Sequence, residues 1–165
     1  MRAAGRLLFA VALLLGTALA QVQAQAGELR GFGVGSFEEI RRVNAGRPHI
    51  VAFWSNTCPP CVEEMPVWRD LLRNRPDVAL SLVSTDGPPD AVAVRQRLVE
   101  LGLGQHPSWI FADERVEKLR YTIDRGWRGE LPRTYLFDAQ GRMEVVTGRV
   151  EARWLEEWLA RRARR

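Results

Sequence analysis

Residues 50–66 read IVAFWSNTCPPCVEEMP, an apolar run followed by a short polar break and a pair of cysteines separated by two prolines. The run over 50–54 has the length and the β-branched content of a strand that is buried on both faces. Apolar residues recur at helical spacing after the cysteines. We therefore predict a buried strand that leads into a helix, with the cysteine pair at the start of that helix.

Cys58 and Cys61 are the two cysteines of the chain. A disulfide between them closes so small a loop that it removes little entropy from the unfolded chain, so it is a poor structural staple. One helical turn brings the two α-carbons to about 5–6 Å, the separation that a disulfide needs. The unpaired amides and partial positive charge at a helix start favour a thiolate on the outer sulfur. We predict a redox-active pair, with Cys58 as the exposed nucleophile and the more buried Cys61 as the resolving thiol.

Pro59 and Pro60 fill the two positions between the cysteines. Proline suits the first turn of a helix, but it lacks the amide hydrogen that could have bonded the sulfur of Cys58. The amides of Cys61 and Val62 are the nearby donors that remain. We therefore expect a moderately lowered pKa for Cys58, about 7 rather than about 3.5. A less stabilised thiolate gives a more reducing couple, so the pair is predicted to act as a reductant.

Residues 1–26 have the layout of a secretory signal peptide. A short basic start precedes an apolar stretch, LLFAVALLLGTALA, and small residues then offer cleavage after Ala20, Ala24 or Ala26. The alternative is an uncleaved membrane anchor, although the stretch is shorter than the roughly 20 residues that a spanning helix needs. In both cases we expect the remaining domain, residues 27–165, to be periplasmic or otherwise extracytoplasmic.

Strand and helix patterns alternate along the rest of the chain. Residues 27–35 form a polar, glycine-bearing lead, and Ser36 is expected to cap the first helix. We predict helices over 36–44, 90–103, 113–123 and 151–162, and strands over 78–84, 106–111, 133–137 and 143–147. This alternation, closed by a hairpin and a final helix, indicates one α/β domain with a central mixed β-sheet flanked by helices.

Two motifs connect the chain with a known family. Residues 53–66 match F-W-x-x-x-C-x-P-C-x-x-E-M-P, and residues 131–141 match L-P-x-T-x-L-x-D-x-x-G. From about residue 50 to the C-terminus, the chain resembles thioredoxin-like proteins of the TlpA/ResA type. The resemblance implies the thioredoxin fold with a TlpA/ResA-type helix–strand insertion over 90–111. It also implies a thiol–disulfide oxidoreductase activity.

The same resemblance assigns roles to residues around the cysteines. It implies that Pro132 follows a cis peptide bond and lies against the cysteine pair, which leaves the backbone of Leu131 free to pair with a substrate strand. Trp54 is expected to be a core aromatic or the floor of a substrate subsite. Trp127 lies in a loop that is longer than usual, where it borders the substrate groove or acts as a half-buried anchor.

Glu64 matches the acid that lies near the dithiol in ResA-like proteins. It follows Cys61 by three residues, so it could manage the proton of that thiol. Thioredoxin itself uses a buried aspartate on the preceding strand, where this chain has Ala52. The alternative for Glu64 is an ordinary solvated glutamate on a helix.

The family resemblance favours a reductase of protein disulfides, and apocytochrome c is the best-known substrate of the family. It implies protein dithiol or disulfide substrates and a membrane-embedded protein electron donor, with no cofactor and no resident metal. An uncleaved N-terminus would add an association with the membrane. The formal net charge is +4, and subtracting Arg2 and Arg6 of the leader leaves about +2, which is too small to indicate a nucleic-acid partner. A net oxidant or isomerase of secreted proteins is the enzymatic alternative.

A copper-binding module is the alternative without enzymatic activity, because two thiolates can bind Cu(I). Copper carriers usually add a histidine or a methionine close to the thiolates. The candidates are His49, His106 and Met65. We expect structural roles for all three, since the histidines lie in other segments and the methionine suits the core.

Overall fold

The computed structural model describes residues 27–163 of the chain. The predicted signal segment lies outside the described residues. Five helices and six strands are described: β1 Leu29–Phe32, α1 Ser36–Val43, β2 His49–Trp54, α2 Pro59–Asn74, β3 Ala79–Ser84, α3 Ala91–Glu100, β4 Ser108–Phe111, α4 Val116–Ile123, β5 Arg133–Phe137, β6 Met143–Thr147 and α5 Ala152–Ala163. A 3₁₀ turn, Pro88–Asp90, leads into α3.

The six strands form one sheet in the order β1-β4-β3-β2-β5-β6. The first four strands of that order pair in parallel, and β5 and β6 are antiparallel to their neighbours. Every residue of β2 is buried, which explains its unbroken apolar sequence. The predicted mixed sheet flanked by helices is confirmed. The helix–strand pair α3–β4 adds its strand between β1 and β3.

Alternate residues of β2 serve two separate cores. Ala52 and Trp54 belong to the cluster on one face, which also holds Cys61 and the aromatic rings of Trp68 and Trp158. The opposite face is mostly aromatic around the central Phe53, and its further rings are Phe32, Phe37, Phe111, Trp127, Tyr135 and Phe137. The cysteine helix α2 therefore packs on the first face and the aromatic cluster fills the second.

Strand β1 was not expected from the sequence, which predicts a polar lead over 27–35. The strand has four residues, two of them exposed, and it contains Gly31, so it shows no apolar alternation. Its pairing with β4 places it in the sheet, from Leu29 opposite Ser108 to Phe32 opposite Phe111. This strand is therefore defined by its pairing with a distant segment and has no local sequence pattern of its own.

The start of α1 also differs from the prediction that Ser36 caps the helix. The capping position is occupied by Gly35, whose φ of 90° is accessible to glycine at low cost. The hydroxyl of Ser36 instead accepts a hydrogen bond from the amide of Gly33, at 3.0 Å. Helix α3 ends at Glu100, three residues before its predicted end, and Gly102 follows with a φ of 74°.

Residues 27–163 contain no helix that is both long enough and apolar enough to cross a bilayer.

Replacing Phe53 with alanine should destabilise the domain strongly. The ring is fully buried, and it lies 4.8 Å from the ring of Trp127 and 5.6 Å from that of Phe32. Loss of this ring should cost about 3–5 kcal/mol in the free energy of unfolding, measured by urea denaturation of the oxidised protein. Val92→Ala is the control, because that side chain is 65% exposed and its loss should change the value by at most about 0.5 kcal/mol. Equal effects of the two substitutions would contradict this assignment of the core.

Candidate active site

The cysteine pair lies at the junction between β2 and α2, as the sequence predicts. Cys58 is the N-terminal cap of α2, and Pro59 and Pro60 occupy the first two helical positions. The α-carbons of Cys58 and Cys61 are 5.3 Å apart and the two sulfurs form a disulfide. The amide of Cys58 donates to the carbonyl oxygen of Ser55, at 3.2 Å, which fixes the chain at the entry to the helix.

The two sulfur-bearing residues differ in their access to solvent. Cys58 is partly exposed, whereas Cys61 is completely buried in the core beneath α2. The amide of Cys61 donates to the sulfur of Cys58, at 3.3 Å. Val62, predicted as a second donor to that sulfur, instead donates to the carbonyl oxygen of Cys58, at 3.2 Å. The outer sulfur therefore accepts a hydrogen bond from one backbone amide. Of the two sulfurs, only that of Cys58 is accessible to a substrate.

The segment Leu131–Pro132 lies at the same end of the sheet. The peptide bond between the two residues is cis. Pairing between β2 and β5 begins with Phe53 opposite Arg133, so the two residues before Arg133 lie at the end of β2 from which the cysteine segment starts. Leu131 is partly buried and packs against both cores, and Cys58 packs against the core that contains Cys61.

Glu64 is buried, with an exposed fraction of 2%, so the solvated alternative for this residue is wrong. Its carboxylate accepts hydrogen bonds from the amide of Val150, at 2.5 Å, and from the indole nitrogen of Trp68, at 3.0 Å. Burial disfavours the charged form and raises the pKa of Glu64 to about 7, against the opposing effect of the two hydrogen bonds. A carboxyl group that can gain or lose a proton near neutral pH thus lies one helical turn beyond Cys61.

The structure corrects the expectation that Trp54 or Trp127 contacts a substrate. Trp54 is 1% exposed and belongs to the core beneath α2. Trp127 is 3% exposed, packs against Phe53, and donates its indole hydrogen to the carbonyl oxygen of Glu130, at 3.0 Å. Both rings are core anchors: the core reading holds for Trp54, and Trp127 is more deeply buried than the half-buried anchor that the sequence allowed.

Arg133 joins the loop that contains Trp127 to the strand that follows Pro132. Its guanidinium pairs with Asp124 and donates to the hydroxyl of Tyr135 and to that of Thr147, each at 2.8 Å. Hydrogen bonding from the amide of Gly126 and then from Arg133 lowers the pKa of Asp124, and burial raises the pKa of Tyr135 to about 12. Asp124 is therefore ionised and Tyr135 is neutral at physiological pH. These charge states favour the ion pair of Arg133 with Asp124 and its hydrogen bond to the hydroxyl of Tyr135.

One neighbour of the cysteine segment was not recognised in the sequence. Asp86 follows β3, and its carboxylate accepts hydrogen bonds from the hydroxyls of Ser55 and Ser84 and from the amide of Asn56. Some thirty residues separate Asp86 from the segment it holds, so no local pattern could have revealed the contact. A polar residue two positions after a buried strand was the available signal.

The residues considered for copper binding lie in packed surroundings. His49 is buried and its ring stacks on that of Phe137, with 4.3 Å between the centroids. His106 is hydrogen-bonded through Nε2 to the carbonyl oxygen of Leu80, at 3.0 Å. Met65 is fully buried. Within residues 27–163, no group of three or more histidine, cysteine, aspartate or glutamate side chains is placed to hold a metal ion.

The fold and the site define a class, the thioredoxin-fold proteins with a Cys-x-x-Cys pair at a strand-to-helix junction. MTB DsbF, solved in mixed oxidised and reduced forms, superimposes with a TM-score of 0.60 at 21% identity, over 73% of this chain and 84% of that one. StoA from Bacillus subtilis superimposes with a TM-score of 0.53 at 24% identity, over 70% and 84% of the two chains. These likenesses support the thioredoxin fold.

Sequence relatives show which proteins of that class the chain is similar to. The chain is 27% identical to sporulation thiol-disulfide oxidoreductase A of Bacillus subtilis, over 73% of this chain and 72% of the relative. It is 25% identical to thiol-disulfide oxidoreductase ResA of Bacillus thuringiensis, over 69% of this chain and 62% of the relative's length. No family model matches the chain. The chain thus has the thioredoxin fold and is similar in sequence to StoA and ResA, which are named thiol–disulfide oxidoreductases.

The raised pKa of Glu64 should make the stability of the domain depend on pH. Because the folded state holds this proton more tightly, its contribution is fully present below pH 4.5 and is lost as the pH rises through about 7. Relative to Glu64→Gln, the unfolding free energy of the oxidised parent should fall by about 3 kcal/mol between pH 4.5 and pH 8. Urea denaturation at a series of pH values measures this difference.

Glu63→Gln is the matched control, because Glu63 is a neighbouring residue whose side chain is 61% exposed. It should leave the pH dependence of unfolding as it is in the parent. A constant difference between the parent and Glu64→Gln across the pH series would show that Glu64 does not titrate in this range.

Proposed function

We propose that this protein is an extracytoplasmic thiol–disulfide oxidoreductase that reduces disulfides in other proteins. The observation that carries the proposal is the asymmetry of the cysteine pair, with Cys58 accessible at the start of α2 and Cys61 buried beneath it. An accessible thiolate can attack a protein disulfide, and a buried partner can complete the exchange without competing for the substrate.

The exchange runs in two steps from the reduced protein. The thiolate of Cys58 attacks one sulfur of the substrate disulfide, so a mixed disulfide forms and one substrate thiolate leaves. Cys61, after loss of its proton, attacks the sulfur of Cys58 and releases the second substrate thiolate. Two electrons pass to the substrate, and the protein is left with the Cys58–Cys61 disulfide that the structure contains.

The direction of electron flow is inferred from the few donors around the outer sulfur. Pro59 and Pro60 offer no amide hydrogen, and the amide of Val62 is bonded to a carbonyl oxygen. The thiolate of Cys58 therefore gains less stabilisation than a helix start with free amides would give. A less stabilised thiolate makes the reduced form a stronger reductant, which supports a reductase over a net oxidant.

Glu64 is proposed to take the proton from Cys61 during the second step. Attack on the mixed disulfide requires the thiolate of Cys61, and this thiol is fully buried. A carboxyl group with a pKa of about 7 is half ionised near neutral pH and can act as the base for such a step. Its position one turn along α2 supports this role.

Substrate is proposed to bind at Leu131 and Pro132. The paired part of β5 begins at Arg133, so the backbone of Leu131 precedes the residues that the sheet engages. An extended substrate segment can pair with such a backbone and present its disulfide to Cys58. By analogy with the family, an apocytochrome c is a candidate substrate and a membrane-embedded protein is the candidate electron donor.

Location follows from the proposed leader over residues 1–26. Its removal, or its retention as an anchor, would place the domain that begins at residue 27 outside the cytoplasm. A reductant in an oxidising space needs a supply of electrons, which is the reason for proposing a dedicated donor.

The activity is tested by reduction of insulin disulfides with dithiothreitol as the electron source. The parent should accelerate the reaction, and Cys58→Ser should return it to the uncatalysed rate because the attacking thiolate is missing. Cys61→Ala should accumulate disulfide-linked adducts through Cys58, and their identification by mass spectrometry from an extracytoplasmic extract names the substrates. The proposal would be wrong if the parent left insulin oxidised and the Cys61→Ala variant formed no adducts.

The reduction potential decides the direction. Equilibration of the Cys58–Cys61 pair with defined glutathione mixtures should give a value closer to about −270 mV than to about −120 mV. A reduction potential near about −120 mV would identify the protein as a net oxidant.

A further inference from the structure

Asp86 lies where the end of β3 meets the segment that leads to the cysteines. One carboxylate oxygen accepts a hydrogen bond from the hydroxyl of Ser55, at 2.7 Å. The other oxygen accepts from the amide of Asn56, at 2.8 Å, and from the hydroxyl of Ser84, at 2.6 Å. One side chain thus holds two of the three residues that separate β2 from Cys58.

The hydrogen bonds around Ser55 have a defined direction. A serine hydroxyl has one hydrogen, and in Ser55 that hydrogen is donated to Asp86. The oxygen of Ser55 therefore acts as an acceptor, from the amide of Thr57 at 3.2 Å and from the hydroxyl of Thr57 at 3.0 Å. The carboxylate of Asp86 consequently orients the hydroxyls of both residues, and Thr57 directly precedes Cys58.

The same segment continues to the nucleophile through the backbone. The carbonyl oxygen of Ser55 accepts the hydrogen bond from the amide of Cys58, at 3.2 Å. Ser55 is buried, so water has little access with which to replace its bonds. A further hydrogen bond holds the segment from α3, where Arg97 donates to the side-chain oxygen of Asn56, at 3.2 Å.

We propose that Asp86 is a positioning residue that fixes Cys58 through Ser55 and thereby sets the reactivity of the thiolate. The inference rests on the proposed function and adds to it a residue outside the Cys-x-x-Cys and cis-proline motifs. Asp86 holds the entry to α2 in one geometry. Because its carboxylate contacts Ser55 and Asn56, three and two residues before Cys58, its negative charge also disfavours a second negative charge on the outer sulfur.

Substitution of Asp86 has two separable consequences. Asp86→Asn removes the charge, and because an amide offers one acceptor oxygen and an NH₂ group, it cannot accept all three hydrogen bonds. Ser55→Ala keeps the charge but removes the hydroxyl that joins Asp86 to Thr57. Asp90→Asn is the matched control, since it removes the same charge from an exposed residue in the 3₁₀ turn that follows.

The reduced proteins are compared by the rate at which iodoacetamide alkylates Cys58 between pH 5 and pH 10. Asp86→Asn should lower the apparent pKa of Cys58, because the negative charge beside the segment that leads to Cys58 is gone, and should raise its alkylation rate at pH 6 about threefold. Ser55→Ala should change the rate of exchange with a peptide disulfide at least threefold. Asp90→Asn should match the parent in both measurements.

The glutathione equilibrium gives a second readout that a purely structural role would not move. A threefold change in the equilibrium constant for Asp86→Asn corresponds to about 14 mV toward a less reducing couple. An Asp86→Asn variant equal to the parent, or to Asp90→Asn, in thiol pKa and potential would overturn the proposal. A change in Asp86→Asn with no change in Ser55→Ala would assign the effect to charge alone and would overturn the positioning role.

Two features keep the test decisive. Ser55→Ala retains the carboxylate and removes one hydroxyl, so it tests the connection even if Asp86→Asn fails to fold. Alkylation of Cys58 requires no protein substrate. If the parent leaves protein disulfides intact, the proposed function fails, while the comparison of thiol pKa values still decides the role of Asp86.

Discussion

Strand β2 is buried along its whole length, and α2 begins where this strand emerges from the core. Because β2 is buried between the two clusters, its register with the neighbouring strands is fixed. The position at which Cys58 caps the helix is therefore fixed as well. Parallel pairing with β3 and antiparallel pairing with β5 bring two further segments to the same end. Asp86 arrives from β3 and Pro132 from the approach to β5, so every element of the proposed site depends on the register of this one strand.

The sequence predicts those parts of the site that depend on local chemistry. The apolar run before Cys58, the helical spacing after it and the hairpin around Gly141 each have a pattern that can be recognised within a dozen residues. The sheet class and the positions of Cys58 and Cys61 follow from them. Strand β1 could not be recognised in this way, because its identity depends on a partner, β4, that is distant in the sequence.

The surroundings of individual polar side chains were equally hidden from the sequence. A glutamate on a helix can face solvent or the core, and the burial of Glu64 follows from the packing of a segment more than eighty residues away. The role of Asp86 depends in the same way on a strand that places it beside Ser55. For Trp54 and Trp127 the sequence left open core and surface positions, and the tight packing on both faces of β2 decides for the core.

The hydrogen bond from Val150 to Glu64 connects the ionisable group beside the cysteines with the last helix. Val150 precedes α5, and α5 places Leu155, Trp158 and Leu159 in the same core as Cys61. Movement of α5 would therefore alter the affinity of Glu64 for its proton. By thermodynamic reciprocity, the ionisation of Glu64 would alter how firmly α5 is held. The packing of the C-terminal helix and the protonation of Glu64 are in this sense linked, although the helix contributes no residue to the exchange itself.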